Sequence, residues 1–146
     1  MMSQPRLRTI PLAAAGALCF LAAGLVRAEC PQGGMPIYDP ASETTFTAVV
    51  EQVQEHACNC CRRGGTGIHL QVKSEGEAVE ALLGPAFYLR EAGLALAAGD
   101  VVEITGSVLA GASARMVLVR SIHAGEDHLS LRDERGLPLW SPRGRN

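Results

Sequence analysis

The sequence predicts a mostly β domain: a small OB-like, five-stranded Greek-key barrel with one short helix between its third and fourth strands, and a C-terminal hairpin. Three observations carry this. Segments beyond residue 42 alternate apolar and polar residues, the period of strands with one buried face. One stretch, residues 85–92, breaks that alternation, with Pro85 suited to a helix's first turn and Gly93 to its end. The resulting order, three strands, a helix and two strands, is that of the OB barrel.

Each element follows from local chemistry. Residues 43–54 (ETTFTAVVEQVQ) place Phe46, Ala48 and Val50 on one face. Val53 falls out of phase, which calls for a bulge near Val50 and Glu51 in a long, bent strand. Residues 57–67, rich in Cys and Gly, read as a loop. Ile68, Leu70 and Val72 then alternate with His69, Gln71 and Lys73. A turn at residues 74–77 leads into residues 78–83, where Val79, Ala81 and Leu83 face inward. After the helix, residues 101–109 alternate again, with Gly106 where a barrel needs a sharp bend. Residues 113–123 form the last long strand. The tail reads as a hairpin of Leu129 and Leu131 against Leu137 and Leu139, turning at residues 133–136.

The N-terminus is a targeting segment. Arg6 and Arg8 precede an apolar run, residues 10–26, that closes on Val26-Arg27-Ala28, the three parts of a secretory signal with cleavage after Ala28. Pro11, Gly16 and Gly24 interrupt the run, which sits at the short limit for spanning a bilayer, so an uncleaved anchor is the lesser reading. The expected organisation is a signal peptide at 1–28, an extended lead-in at 29–42, the barrel with its hairpin at 43–140 and a disordered tail at 141–146. Localisation follows as periplasmic or secreted.

Cleavage changes the charge. The loss of Arg6, Arg8 and Arg27 leaves 10 basic residues against 15 acidic ones, a formal charge of −5, with Lys73 the only lysine. Such a domain has no long-range attraction for phosphate backbones, so nucleic acid is excluded as a partner despite the barrel. An unknown protein or small ligand is the expected partner, with no stable membrane insertion after cleavage.

Chemistry concentrates in His56-Ala57-Cys58-Asn59-Cys60-Cys61, with His69 shortly after. Export places Cys30, Cys58, Cys60 and Cys61 where disulfides form, and these four are the disulfide candidates. Adjacent Cys60 and Cys61 would need a strained bridge, so Cys30 is expected to pin the lead-in to Cys58, Cys60 or Cys61. The alternative is a soft-metal site for Cu or Zn from His56, Cys58, Cys60, Cys61 and His69. Cys58 and Cys61 also form a C-x-x-C pair, but a redox pair wants a helix N-terminus and this one lies between strands. His123 and His128 flank an acidic turn, and Glu75, Glu77 and Glu80 read as solvated surface. Phe87 and Tyr88 supply a ring to plug the barrel's end, and Trp140 packs the tail. No catalytic motif appears, so no enzyme and no required cofactor are expected.

The stretches YDPASETTFTAVVEQV, GGTGIHLQVKSEGEAVEALLGPAFYLREAGLALAAGDVVEITGS and LRDERGLPLW resemble a group of exported bacterial OB-fold proteins of mostly unknown function, related to magnetosome-associated proteins. The Leu83-Gly84-Pro85 turn and Gly99-Asp100 are the specific marks. The resemblance implies the fold and carries no catalytic residue, and the Cys-rich insertion lies outside what it vouches for; the expected function is a periplasmic binding or accessory module.

Overall fold

Strands form where β-branched residues alternate with polar ones, and the computed structural model, which describes residues 36–58, 65–112 and 114–141, follows that pattern. β1 (Glu43–Cys58), β2 (Gly65–Ser74) and β3 (Glu77–Pro85) form an antiparallel meander. A short helix, α1 (Ala86–Glu91), leads towards β4 (Val101–Val108), β5 (Met116–Ala124) and β6 (Asp127–Ser130). β4 pairs antiparallel with both β1 and β5, and β3 pairs parallel with β5 from Glu80↔Met116 to Leu82↔Leu118. That parallel contact closes a five-stranded barrel, with the helix between its third and fourth strands as expected. Closure removes the unpaired edges that would otherwise template aggregation.

The interior is aliphatic. Val50, Leu70, Val72, Val79, Leu83, Val102, Ile104, Val117, Val119, Ile122 and Leu131 are each under 2 % exposed. Burying each such side chain stabilises the fold by about 1.5–3 kcal/mol before the loss of chain entropy is counted. Leu131 shows that the tail contributes to this interior. One end is stopped by α1, whose Ala86 and Leu89 are buried. Of the two candidate rings, Phe87 points outward and is half exposed, while Tyr88 is partly buried and packs against the core beside Ala86 and Leu89.

Two expected irregularities are present. Register shifts between Val50 and Gln52, so Glu51 is the bulged residue and Val50 and Val53 share a face. Val53 nevertheless stays 36 % exposed, because past the bulge β1 pairs only with β2. The second irregularity lies between Thr105 and Gly106. A Cβ on Gly106 would stand 2.5 Å from the Leu118 carbonyl oxygen and 2.7 Å from Val117 Cγ1. The bend works only without a side chain.

Three element boundaries differ from expectation. The stretch 57–67 is not all loop: β1 runs on to Cys58 and β2 begins at Gly65, with Cys58 opposite Gly65. Cross-strand hydrogen bonding extends strands through residues whose composition reads as loop. The last long strand starts at Met116 instead of Ser113. The C-terminal hairpin forms around the expected turn, where Gly136 N–H donates to Asp133 O at 2.9 Å, but it starts at Leu131 instead of Leu129. Asp133 N–H donates to Leu137 O and Leu139 N–H to Leu131 O, at 3.0 Å each, with Arg132 opposite Pro138. Residues 129 and 130 belong to β6, which pairs with β5 where β3 has left its edge.

The lead-in's described part ends in a 3-10 turn, Pro40–Ser42, capped by the Asp39 carboxylate accepting from Ala41 N–H at 2.9 Å. Asp39 N–H also donates to Ser107 Oγ at 3.1 Å, fixing the segment to β4. The signal segment at 1–28 lies outside the described residues. Among the described residues, no helix is long and apolar enough to cross a membrane.

Candidate functional site

The register of β1, β2 and β3 gathers polar side chains on the barrel's outer surface. Val72 opposes Val50 and Leu70 opposes Val53, so Gln52, Gln54, His56, Gln71 and His69 must face the other way. The β2–β3 hairpin turns through Glu75 and Gly76, both at positive φ (50° and 82°), the tight two-residue turn whose twist matches its strands. That turn sets Gln71 opposite Glu80 and makes Glu80 the diagonal neighbour of His69.

A continuous chain of contacts results. Gln54 Nε2 donates to Gln52 Oε1 at 3.1 Å, which turns the Gln54 carbonyl oxygen towards His56 Nε2 at 3.0 Å. The His56 and His69 rings then meet, centroids 4.6 Å apart and planes tilted by 47°. His69 Nδ1 lies 2.9 Å from Glu80 Oε1, with both side chains largely covered (21 % and 14 % exposed). The structure thus brings these two candidate residues into contact.

The remaining candidates are placed differently. Cys58 is the last residue of β1, two beyond His56. Cys30, Cys60 and Cys61, and with them the disulfide pairings, lie outside the described residues. Among the described residues, no group of three His, Cys, Asp or Glu side chains is set to hold a metal ion. Glu80 and Gln54 are the partners that sequence reasoning missed. Glu80 was legible in principle, since the Glu75-Gly76 turn fixes the hairpin register.

His123 and His128 form a second pair, opposite one another on β5 and β6 with rings stacked at 4.0 Å and 27°. Both are exposed at the hairpin's end.

Elsewhere, charged groups secure the chain. Glu43 accepts two hydrogen bonds from Arg120 and one from the Tyr38 hydroxyl. Burial first, and then that bond, pushes the Tyr38 hydroxyl up to about 12. Arg132, buried between β3 and β5, donates to the Leu83 and Val119 carbonyls with its guanidinium 4.9 Å from the Trp140 ring centroid. Burial pushes it down to about 10, which leaves it charged at neutral pH. Trp140 lies against Gly84, where any Cβ would stand 2.8 Å from the indole. Leu83-Gly84-Pro85 and the terminal Trp are therefore one packing unit.

One groove opens near the start of the barrel. Thr45, Phe46, Thr47, Ser74, Glu75, Glu77 and Arg115 line about 430 Å³. Arg115 lies 5.6 Å from the Phe46 ring centroid and is held by Glu77 at 2.9 Å, giving an aromatic floor under a fixed cation with hydroxyls at its sides.

The family model described as the MamS/MamX magnetosome protein family matches residues 42–129, from the start of β1 into β6. No curated protein matches the chain.

Proposed function

The chain belongs to the MamS/MamX magnetosome protein family, and on that premise we propose that it is a non-catalytic accessory module, exported to the periplasm or secreted after cleavage behind Ala28. Its OB-like barrel offers a surface to a protein or small ligand and does no chemistry on it. The observation that carries this reading is the groove at Phe46 and Arg115. An aromatic face, a guanidinium held by Glu77 and three hydroxyl side chains are binding groups. The formal charge of −5 after cleavage argues against nucleic acid as the occupant.

A photoreactive amino acid at Thr47 of the full-length chain, expressed in its own cells, tests it. One discrete cross-linked product that disappears in Arg115→Ala is the expected result. Products formed only from a probe at Phe87, on the far helix, would move the binding surface away from the groove.

A second reading is favoured by the meeting of His56 and His69 beside the end of β1, where Cys58 begins the cysteine cluster. In it, His56, Cys58, Cys60 and Cys61, with His69, hold Cu or Zn. Stoichiometric metal in the purified chain, lost in Cys58→Ser or Cys60→Ser, supports this; metal retained in both variants removes the thiols from it.

A further inference from the structure

We propose that His56 and His69 form a two-nitrogen site for a divalent first-row transition ion, with Glu80 as its positioning residue. The inference rests on the metal reading above in its use of the two histidines, and departs from it in requiring no thiol.

The argument begins with tautomers. A glutamine carbonyl oxygen only accepts, so His56 carries its proton on Nε2, towards Gln54, and leaves the Nδ1 lone pair open. Glu80 accepts from His69 Nδ1, which leaves the Nε2 lone pair open on that ring. Among the described residues, neither open nitrogen takes a hydrogen bond. Two adjoining imidazoles, each with its proton engaged elsewhere and its lone pair free, are in the protonation state a metal requires.

The surroundings fit the same role. Metal-bound histidines regularly donate their second N–H to a carboxylate or carbonyl, which fixes ring orientation and raises ligand basicity. Glu80 does this for His69 and Gln54 for His56, while Gln52 holds the Gln54 amide. The rings stand 4.6 Å apart at a tilt of 47°, close enough for one ion to reach both and not a flat stack. Here the second pair differs. His123 and His128 are stacked at 27°, and no residue described orients either ring by a hydrogen bond.

Two neutral nitrogens with water completing the shell suit Cu²⁺ best among common divalent ions, followed by Zn²⁺. Calcium and magnesium, which want oxygen ligands, are disfavoured.

The test uses the full-length chain with all five cysteines, 19, 30, 58, 60 and 61, replaced by serine, so that thiols neither bind nor reduce the copper. Addition of Cu²⁺ alone is expected to give one bound ion per chain, with an electron paramagnetic resonance signal split by two imidazole nitrogens. His56→Ala and His69→Ala should each remove that two-nitrogen pattern while circular dichroism shows the barrel intact. Glu80→Ala should keep the pattern and weaken binding by about 10- to 100-fold, and Glu80→Gln, whose carbonyl still accepts from Nδ1, should restore part of it. Loss of copper binding in the serine background itself would overturn the thiol-free site and leave the cysteine reading standing. Retention of the pattern in His56→Ala, or its loss in His123→Ala, would overturn it as well. Zn²⁺ titration of the wild-type chain, compared with the serine variant, shows whether thiols add a further class of site.

Discussion

Arg120 and Glu43 meet across the barrel as a two-pronged pair, Nε to Oε2 at 2.8 Å and Nη2 to Oε1 at 2.9 Å. Arg120 stands on β5 beside the edge taken up by the tail, and Glu43 opens β1. The pair therefore joins the last strand of the barrel to its first. Arg120, and after it the Tyr38 hydroxyl, hold the Glu43 carboxyl below its ordinary value of 4.5. A carboxyl so depressed contributes stability that is fully present above pH 4.5 and is lost as pH falls through its folded-state value. Glu43→Gln should destabilise the protein by about 1 kcal/mol at neutral pH. Urea unfolding at pH 7 and pH 3 checks this, and the gap between wild type and variant must narrow in acid.

Tyr38 gives the converse titration. Its hydroxyl holds its proton to about 12, mainly through burial and then through Glu43. A raised group contributes stability that is present below its unfolded value of 10 and is lost as pH rises through 12. The tyrosinate absorbance of the wild type should therefore include a step near 12 that is missing from Tyr38→Phe.

Arg132 and Trp140 should behave as one unit. Arg132→Ala strands two buried carbonyls, Leu83 O and Val119 O, at a cost of about 2–3 kcal/mol. Lysine cannot reproduce the planar fork and should rescue little of it. A double-mutant cycle with Trp140→Ala, read by denaturant unfolding, should show a coupling of about 1 kcal/mol from the guanidinium on the ring. Strict additivity would mean that the ring contact contributes nothing.

Gly106→Ala places a methyl group against the Leu118 carbonyl, which belongs to the neighbouring strand and has nowhere to go. The expected loss is about 1–3 kcal/mol, seen as a lower denaturation midpoint with an unchanged m-value. Gly111→Ala, where nothing stands within 4 Å but φ is +80°, separates backbone strain from overlap.

Export predicts its own mass. Intact-mass measurement of the protein from the periplasm or medium should show a chain beginning at Glu29, and thiol labelling before reduction should count fewer than four free cysteines. A chain that retains Met1 would place the protein on the anchored side of the alternative.

The barrel was legible because its interior is aliphatic and β2 and β3 alternate regularly. Ile68, Leu70 and Val72, then Val79, Ala81 and Leu83, announce one buried face each, and the bulge at Glu51 shows as a slip in phase. What composition concealed was pairing. Ala57, Cys58, Gly65, Thr66 and Gly67 look like loop, yet the ladder between β1 and β2 carries them as strand. Phe87 and Tyr88 are alternatives for the inward ring on one short helix, and only the fold separates them: Tyr88 packs against the core beside buried Leu89 while Phe87 faces out. For the candidate site, the histidines were visible as residue types, while Glu80 read as one of three surface acids. Its role depends on which residue lies diagonal to which, and that follows only from the hairpin register.

The length of β1 beyond its pairing with β4 leaves that part with one neighbouring strand. From Val50, where β4 lets go, to Cys58 the strand runs eight residues, about 25 Å at the usual rise. Only β2 accompanies it, and the salt bridge from Arg90 to Glu55 at 2.8 Å steadies one side. Beyond Val50 the backbone of β1 is held by the β2 ladder alone, so its amide protons should exchange whenever β2 parts from it, independently of β4.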